Sequence, residues 1–204
     1  MHIRKLRKLF SSHRNLKQQI AKNKNLIHSL VKQEGFTIKK EAIGKKDFLQ
    51  FLQQLSLDTL TRKQIEIFYQ VIVELEIRAA ELERLILSSG DQVQEEVRIL
   101  CSIPGISCLG ALAIISDIAD IRRFHSPKNL CSYLRSAPGL DSSNKTAKVK
   151  RINKCSRKLT MTYLIQGIHH IRGGNPNLDM LYHKLRSGKS YGKSVVAIAR
   201  HTIT

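Results

Sequence analysis

Two adjacent serines, Ser142 and Ser143, stand in a segment whose residue types suit phosphate chemistry. Lys145, Lys148, Lys150, Arg151, Lys154, Arg157 and Lys158 follow, seven cations within fourteen residues and no acid among them. A serine hydroxyl in such a setting can attack a phosphodiester. Nearby cations stabilise the charge that builds on a five-coordinate phosphorus and ease formation of the alkoxide. Composition alone leaves three readings open: a solvated basic loop, a phosphate-gripping surface, or the seat of a nucleophile. Most loop serines make turns. The cations would neutralise several phosphates and give salt-sensitive binding. No aromatic residue lies between positions 134 and 162, so base stacking is not indicated.

A second motif is Ile103-Pro104-Gly105-Ile106, between two predicted helices. An apolar, glycine-bearing turn of this kind resembles a helix-hairpin-helix unit, which grips a sugar-phosphate backbone without reading bases. The glycine permits close approach, and the N–H groups of the next helix face a phosphate. Ser107 stands where such units usually carry a second glycine. Gly105 and Ser107 are therefore candidate backbone contacts; the plainer alternative is a tight turn between helices. Asp117 and Asp120 are spaced to share a metal on a helix, but a two-metal site needs several carboxylates held together. They read instead as a turn and N-cap device. His169-His170 has no carboxylate or cysteine at ligand spacing and is assigned no metal. Cys101, Cys108, Cys131 and Cys155 form no CxxC pair, so they read as reduced, buried thiols rather than zinc ligands or a disulfide framework.

The elements that must position these residues are helical. The chain has 204 residues, 42% of them apolar, with few glycines and prolines and long Leu/Ile/Lys/Glu-rich runs. The expected fold is all-α, with no convincing strand. In residues 4–33, Leu6, His13, Ile20 and Ile27 are seven apart, and Leu9, Leu16, Asn23 and Leu30 repeat three positions on. Gly35 is a stop signal. A short helix is expected from Asp47 to Leu57. A second long helix follows Asp58, with the seam Ile65, Phe68, Ile72, Leu75, Ala79, Leu82 and Ile86. The two seams predict a long antiparallel coiled-coil arm, or a dimerising one, over residues 1–90. Residues 91–204 form a compact basic helical domain with helices near 91–101, 108–118, 155–172, 176–186 and 190–202. Residues 1–33 hold nine Lys and Arg and no acid; residues 122–204 hold 17 against two acids, Asp141 and Asp179. With a net charge of +19, the partner expected first is nucleic acid and second an anionic membrane surface. No apolar run approaches the ~20 residues that span a bilayer, and the N-terminus lacks the pattern of a secretory signal.

In their order and spacing, Ile103–Ile106, Asp117–Ile118, Phe124, Ser126, Leu130, Tyr133, Pro138, Ser143, Ile152–Lys154, Asn175–Pro176, Tyr182, Gly188–Lys189 and Val196–Arg200 resemble the C-terminal domain of transposases of insertion-sequence family 110, also named for members 116 and 902. The two heptad helices resemble the coiled-coil segment of that family. The resemblance implies a prokaryotic, cytoplasmic, nucleoid-associated DNA recombinase. It acts as a homo-oligomer, is guided by a structured RNA that pairs with donor and target DNA, and exchanges strands through a serine-linked DNA intermediate. By position it implies Ser143 as nucleophile, with Ser142 in reserve. Asn144 stands where the family carries glycine. The family's RuvC-like domain, whose four acidic residues bind a divalent metal such as Mg, has no counterpart in these residues. The expectation is a partial transposase, inactive alone and holding no cofactor of its own. The alternative is a non-catalytic DNA- or RNA-binding protein with a coiled-coil assembly arm; a purely structural coiled coil is a third reading.

Overall fold

Heptad spacing becomes two long helices, α1 (His2–Gln33) and, after a short α2 (Phe48–Gln53), α3 (Thr59–Ser88). The computed structural model describes residues 2–45, 47–134, 140–143, 146–149 and 159–203, the strands at 140–143 and 146–149 as backbone. Gly35 ends α1 as its position predicts. With φ at +83°, its N–H donates to the Lys32 carbonyl at 3.1 Å and the Phe36 N–H to that of Val31 at 3.1 Å. The Asp58 carboxylate starts α3 by accepting from the N–H groups of Leu60 and Thr61 at 2.9 and 3.3 Å. The helix expected from Asp47 to Leu57 is shorter, because the chain leaves it after Gln53 in a turn in which the Leu57 N–H bonds the Leu55 carbonyl.

The chain divides into two compact units, Lys8–Ile86 and Met1–Arg7 with Leu87–Thr204. In the first, α1 and α3 run antiparallel. His13 Nε2 lies 2.8 Å from Glu83, Lys24 Nζ 2.9 Å from Glu76, and the Thr61 hydroxyl donates to Glu34 at 2.9 Å. Ile20, Ile27 and Val31 pack in one cluster with Ile65, Ile72 and Ala79, and Ile43, Phe48 and Leu52 of the connection join it. Each fully buried isoleucine contributes roughly 1.5–3 kcal/mol. One set of seam positions is buried throughout, His13, Ile20 and Ile27 against Ile65, Ile72, Ala79 and Ile86; the offset set, Leu16, Leu30, Phe68 and Leu75, is half-buried. Two helices cover one stripe each, and the second stripe sits at the margin of that contact.

The second unit contains α4 (Gln94–Cys101), α5 (Cys108–Ile118), α6 (Pro127–Tyr133), α7 (Leu159–Gly173), α8 (Pro176–Arg186) and α9 (Tyr191–Ile203). Ile114, Leu164, Ile168, Ile171, Tyr182, Val195, Ile198 and Ala199 form its core. Side-chain caps set the helix starts: Ser107 accepts from the Gly110 N–H, Ser126 from that of Asn129, and Asn175 from those of Asn177 and Leu178. Pro127 and Pro176 follow the last two caps at the first helical position. α5 is buried on nearly all sides from Gly110 to Asp117, as a central helix must be. The fold is all-α. An antiparallel hairpin, β1 (Leu140–Ser143) with β2 (Thr146–Val149), is added to it where the sequence offers no convincing strand. Four-residue strands are too short to carry a period-2 signal.

Candidate functional site

Asp117 is the residue around which the site is built. It is 2% exposed near the end of α5, and its Oδ2 accepts from both the N–H and the hydroxyl of Thr160, each at 2.9 Å. Thr160 lies in the first turn of α7, so a carboxylate of one helix caps another. The Asp117 carbonyl accepts from the Tyr133 hydroxyl at 3.2 Å and from Arg7 Nη2 at 3.4 Å, while Arg7 Nε donates to the Ser116 carbonyl at 2.6 Å. The expectation of a local turn device is thus corrected for Asp117, whose partner is 43 positions away. For Asp120 it holds. Asp120 accepts from the Arg122 N–H at 2.9 Å and pairs with Arg122 Nε at 3.0 Å, a contact that holds its carboxyl below the usual carboxylate range. Among the described residues, no group of three or more His, Cys, Asp or Glu is placed to hold a metal ion.

Tyr133 ends α6 and Thr160 is the second residue of α7, so both ends of the intervening stretch are tied to Asp117. That stretch carries the serines. In the hairpin register Ser143 pairs with Thr146, Ser142 with Ala147 and Asp141 with Lys148. Ser143 is therefore the last residue of β1. Lys145, Lys150, Arg151, Lys154, Arg157 and Lys158, with Pro138, Gly139 and Cys155, lie outside the described residues.

The Ile103–Ile106 turn packs further along α7. Gly105 has φ at +90°, and a Cβ there would lie 2.6 Å from the Gly167 carbonyl and 2.8 Å from His170 Cβ. A Cβ on Gly167 would in turn strike the Gly105 carbonyl. Glycine is thus required at position 105 by its own backbone and by contact with α7. A cleft of about 220 Å³ opens beside the turn, lined by Ser107, Tyr163, Gln166 and His170 among others. Seven residues of helix, about 10 Å, separate its floor at Gly167 from the anchor at Thr160. Gly105 and Ser107 both lie at this turn, and the Ser107 oxygen accepts from the Gly110 N–H at 3.2 Å.

The remaining cations sort by partner. Arg172 pairs with Asp179 and lies over the Tyr182 ring at 4.3 Å; Arg123 lies over Phe124 and Tyr133 at 4.7 and 4.4 Å. Lys128, Lys184, Lys189, Lys193 and Arg200 are exposed and meet no carboxylate among the described residues. The thiols depart from expectation. Cys131 is buried, but Cys101 is half-buried and Cys108 exposed, because α5 begins at the surface and turns inward only at Gly110.

Sequence reasoning missed the Arg7–Asp117–Tyr133–Thr160 network. The available signal was a lone carboxylate in the otherwise apolar run CLGALAIISDI.

Residues 97–183, from within α4 to within α8, match the family described as Transposase IS116/IS110/IS902. The chain is also similar to the transposase for insertion sequence element IS1111A of Coxiella burnetii (strain RSA 493 / Nine Mile phase I). It is 22% identical over 185 residues, which cover 86% of this chain and 50% of the relative. The chain spans about half the length of that relative. No helix among the described residues is long and apolar enough to cross a membrane.

Proposed function

We propose that residues 91–204 are the C-terminal part of a DNA transposase, binding DNA and supplying Ser143 as nucleophile, with Ser142 in reserve. The observation that carries this reading is the double anchorage on Asp117, which fixes both ends of the stretch holding the serine. In the step, Ser143 Oγ loses its proton and forms a bond to phosphorus. The bond from phosphorus to one deoxyribose oxygen breaks, and that oxygen leaves as an alcohol carrying a proton. One phosphodiester replaces another, so attack by a hydroxyl of a second DNA strand reverses the exchange and frees the serine. The cations of 145–158, with Lys128, Lys184, Lys189, Lys193 and Arg200, hold the phosphates. The Gly105–Ser107 turn adds a backbone contact at the start of α5, in the manner of a helix-hairpin-helix. The four-carboxylate set that would hold a divalent metal has no counterpart among the described residues, so metal chemistry is not assigned to them. Residues 1–90 act as a coiled-coil arm that assembles copies of the chain, and a structured guide RNA is a second polyanion for the basic surface.

A second reading, a non-catalytic DNA- or RNA-binding protein with an assembly arm, rests on the same exposed cations. One experiment separates the two. The chain is incubated with element-end DNA, guide RNA and a full-length family member whose own serine has been replaced, and covalent protein–DNA adducts are trapped. An adduct that disappears in Ser143→Ala supports the nucleophile; one that persists there overturns it. Salt-sensitive binding without any adduct favours the second reading, and absence of binding at low salt removes both.

A further inference from the structure

α4 ends at Cys101 and α5 begins at Cys108, and the turn between them brings the two sulfurs to 3.6 Å. Cys108 is exposed and Cys101 half-buried, so one thiol is open to solvent reagents and the other stands behind it. We propose that Cys101 and Cys108 form an oxidisable dithiol site, closed to a reversible intrachain disulfide by reaction with a hydroperoxide. The site stands whether or not the unit binds nucleic acid.

Three observations support it. The sulfurs need to approach by only about 1.5 Å to reach bonding distance, a displacement within the reach of side-chain rotation. The turn carrying them is fixed, because Gly105 holds a positive φ and its backbone is pressed against Gly167, so the helix ends do not have to find one another. The roles of the two thiols are also distinct. Burial, followed by the hydrogen bond from its thiol to the Cys108 sulfur, pushes Cys101 up and keeps its proton in place, which assigns the first attack to Cys108.

Cys108 thiolate attacks one oxygen of hydrogen peroxide. A sulfur–oxygen bond forms, the oxygen–oxygen bond breaks, and hydroxide leaves, giving a sulfenic acid. Cys101 then attacks the Cys108 sulfur. The disulfide bond forms, the sulfur–oxygen bond breaks, and the departing hydroxide takes the Cys101 proton as water. Two thiols lose two electrons in total, and one peroxide is reduced to two waters. A dithiol reductant reverses the change. The closed bond ties the end of α4 to the start of α5 across the Gly105 turn, the same turn whose N-cap is Ser107.

Residues 99–122 contain no internal Lys or Arg, so trypsin releases both cysteines in one peptide. The full chain is treated with hydrogen peroxide, quenched with an alkylating reagent, digested and weighed. The expected peptide is lighter by two hydrogens and carries no alkyl group; after dithiothreitol it carries two. In Cys101→Ser, Cys108 proceeds to the sulfinic acid, and in Cys108→Ser, Cys101 remains alkylatable after peroxide. Circular dichroism of both variants checks that the helices persist. The proposal is overturned if Cys108 of the wild-type chain gains oxygen while Cys101 stays alkylatable, or if Cys108 is recovered joined to a second chain.

Discussion

Residues 8–86 carry 14 Lys and Arg against nine Asp and Glu, whereas residues 1–7 with 87–204 carry 21 against seven. In the first unit the acids meet the cations. Glu83 takes His13 and Lys17, Glu76 takes Lys24, and Glu74 and Glu81 both take Arg78. In the second unit several of the few acids serve the fold. Asp117 holds Thr160, Asp120 caps a turn, and Asp179 secures Arg172 beneath Tyr182. The remaining cations repel one another, an arrangement that opposes folding. Charge in one unit fixes helix pairing; in the other it exceeds what the fold uses.

Ser143→Ala is expected to lower strand transfer by about three orders of magnitude or more in the adduct assay, and Ser142→Ala far less. Asp117→Ala leaves the Thr160 N–H and hydroxyl buried without their acceptor, an expected loss of about 3 kcal/mol read by urea denaturation. Hydrogen exchange should register that loss in residues 87–204 and spare 8–86, where the helix pair has its own core. Gly105→Ala places a Cβ against Gly167 at a positive φ, with an expected cost of about 2 kcal/mol and the same regional signature.

Charge reversal separates the units by function rather than stability. Lys150→Glu or Arg151→Glu should flatten the dependence of log DNA affinity on log salt by about 0.9 for each phosphate left without its cation. Lys24→Glu, in the helix pair, should leave that slope unchanged. The smallest effect concerns Glu83. Burial works to raise its carboxyl, but hydrogen bonds with His13 and Lys17 outweigh it and hold the group below its ordinary value of 4.5. A carboxyl lowered in the folded state stabilises above its unfolded value, and the benefit fades as pH falls below about 4.5. Glu83→Gln should flatten the acid limb of unfolding in residues 8–86 by less than about 1 kcal/mol.

Legibility followed the same division. The helix pair could be read because its signals are local: repeats seven apart, the Gly35 stop and the Asp58 cap all lie within a few residues of what they control. Even there Val31, fully buried and outside both predicted seams, shows the buried stripe drifting to a later position, because a straight helix turns slightly more slowly than a strict seven-residue repeat requires. Several helices of the second unit were legible for the same reason, as was the break at the Ile103–Ile106 turn. Its tertiary bonds were out of reach. Nothing near Asp117 points to Thr160, and nothing near Cys101 indicates that its helix end meets that of Cys108. The hairpin at Ser142 and Ser143 escaped because each strand is only four residues long.

The shared footing of Tyr133 and Thr160 on Asp117 has a consequence for engineering. A stretch whose two ends are clipped at one point behaves as a cartridge: its frame does not sense how many residues lie between the clips. Lengthening a loop costs little, about 0.6 kcal/mol for each doubling. Segments of unequal length could therefore be grafted between positions 134 and 159 while the helices that meet at Asp117 stay as they are.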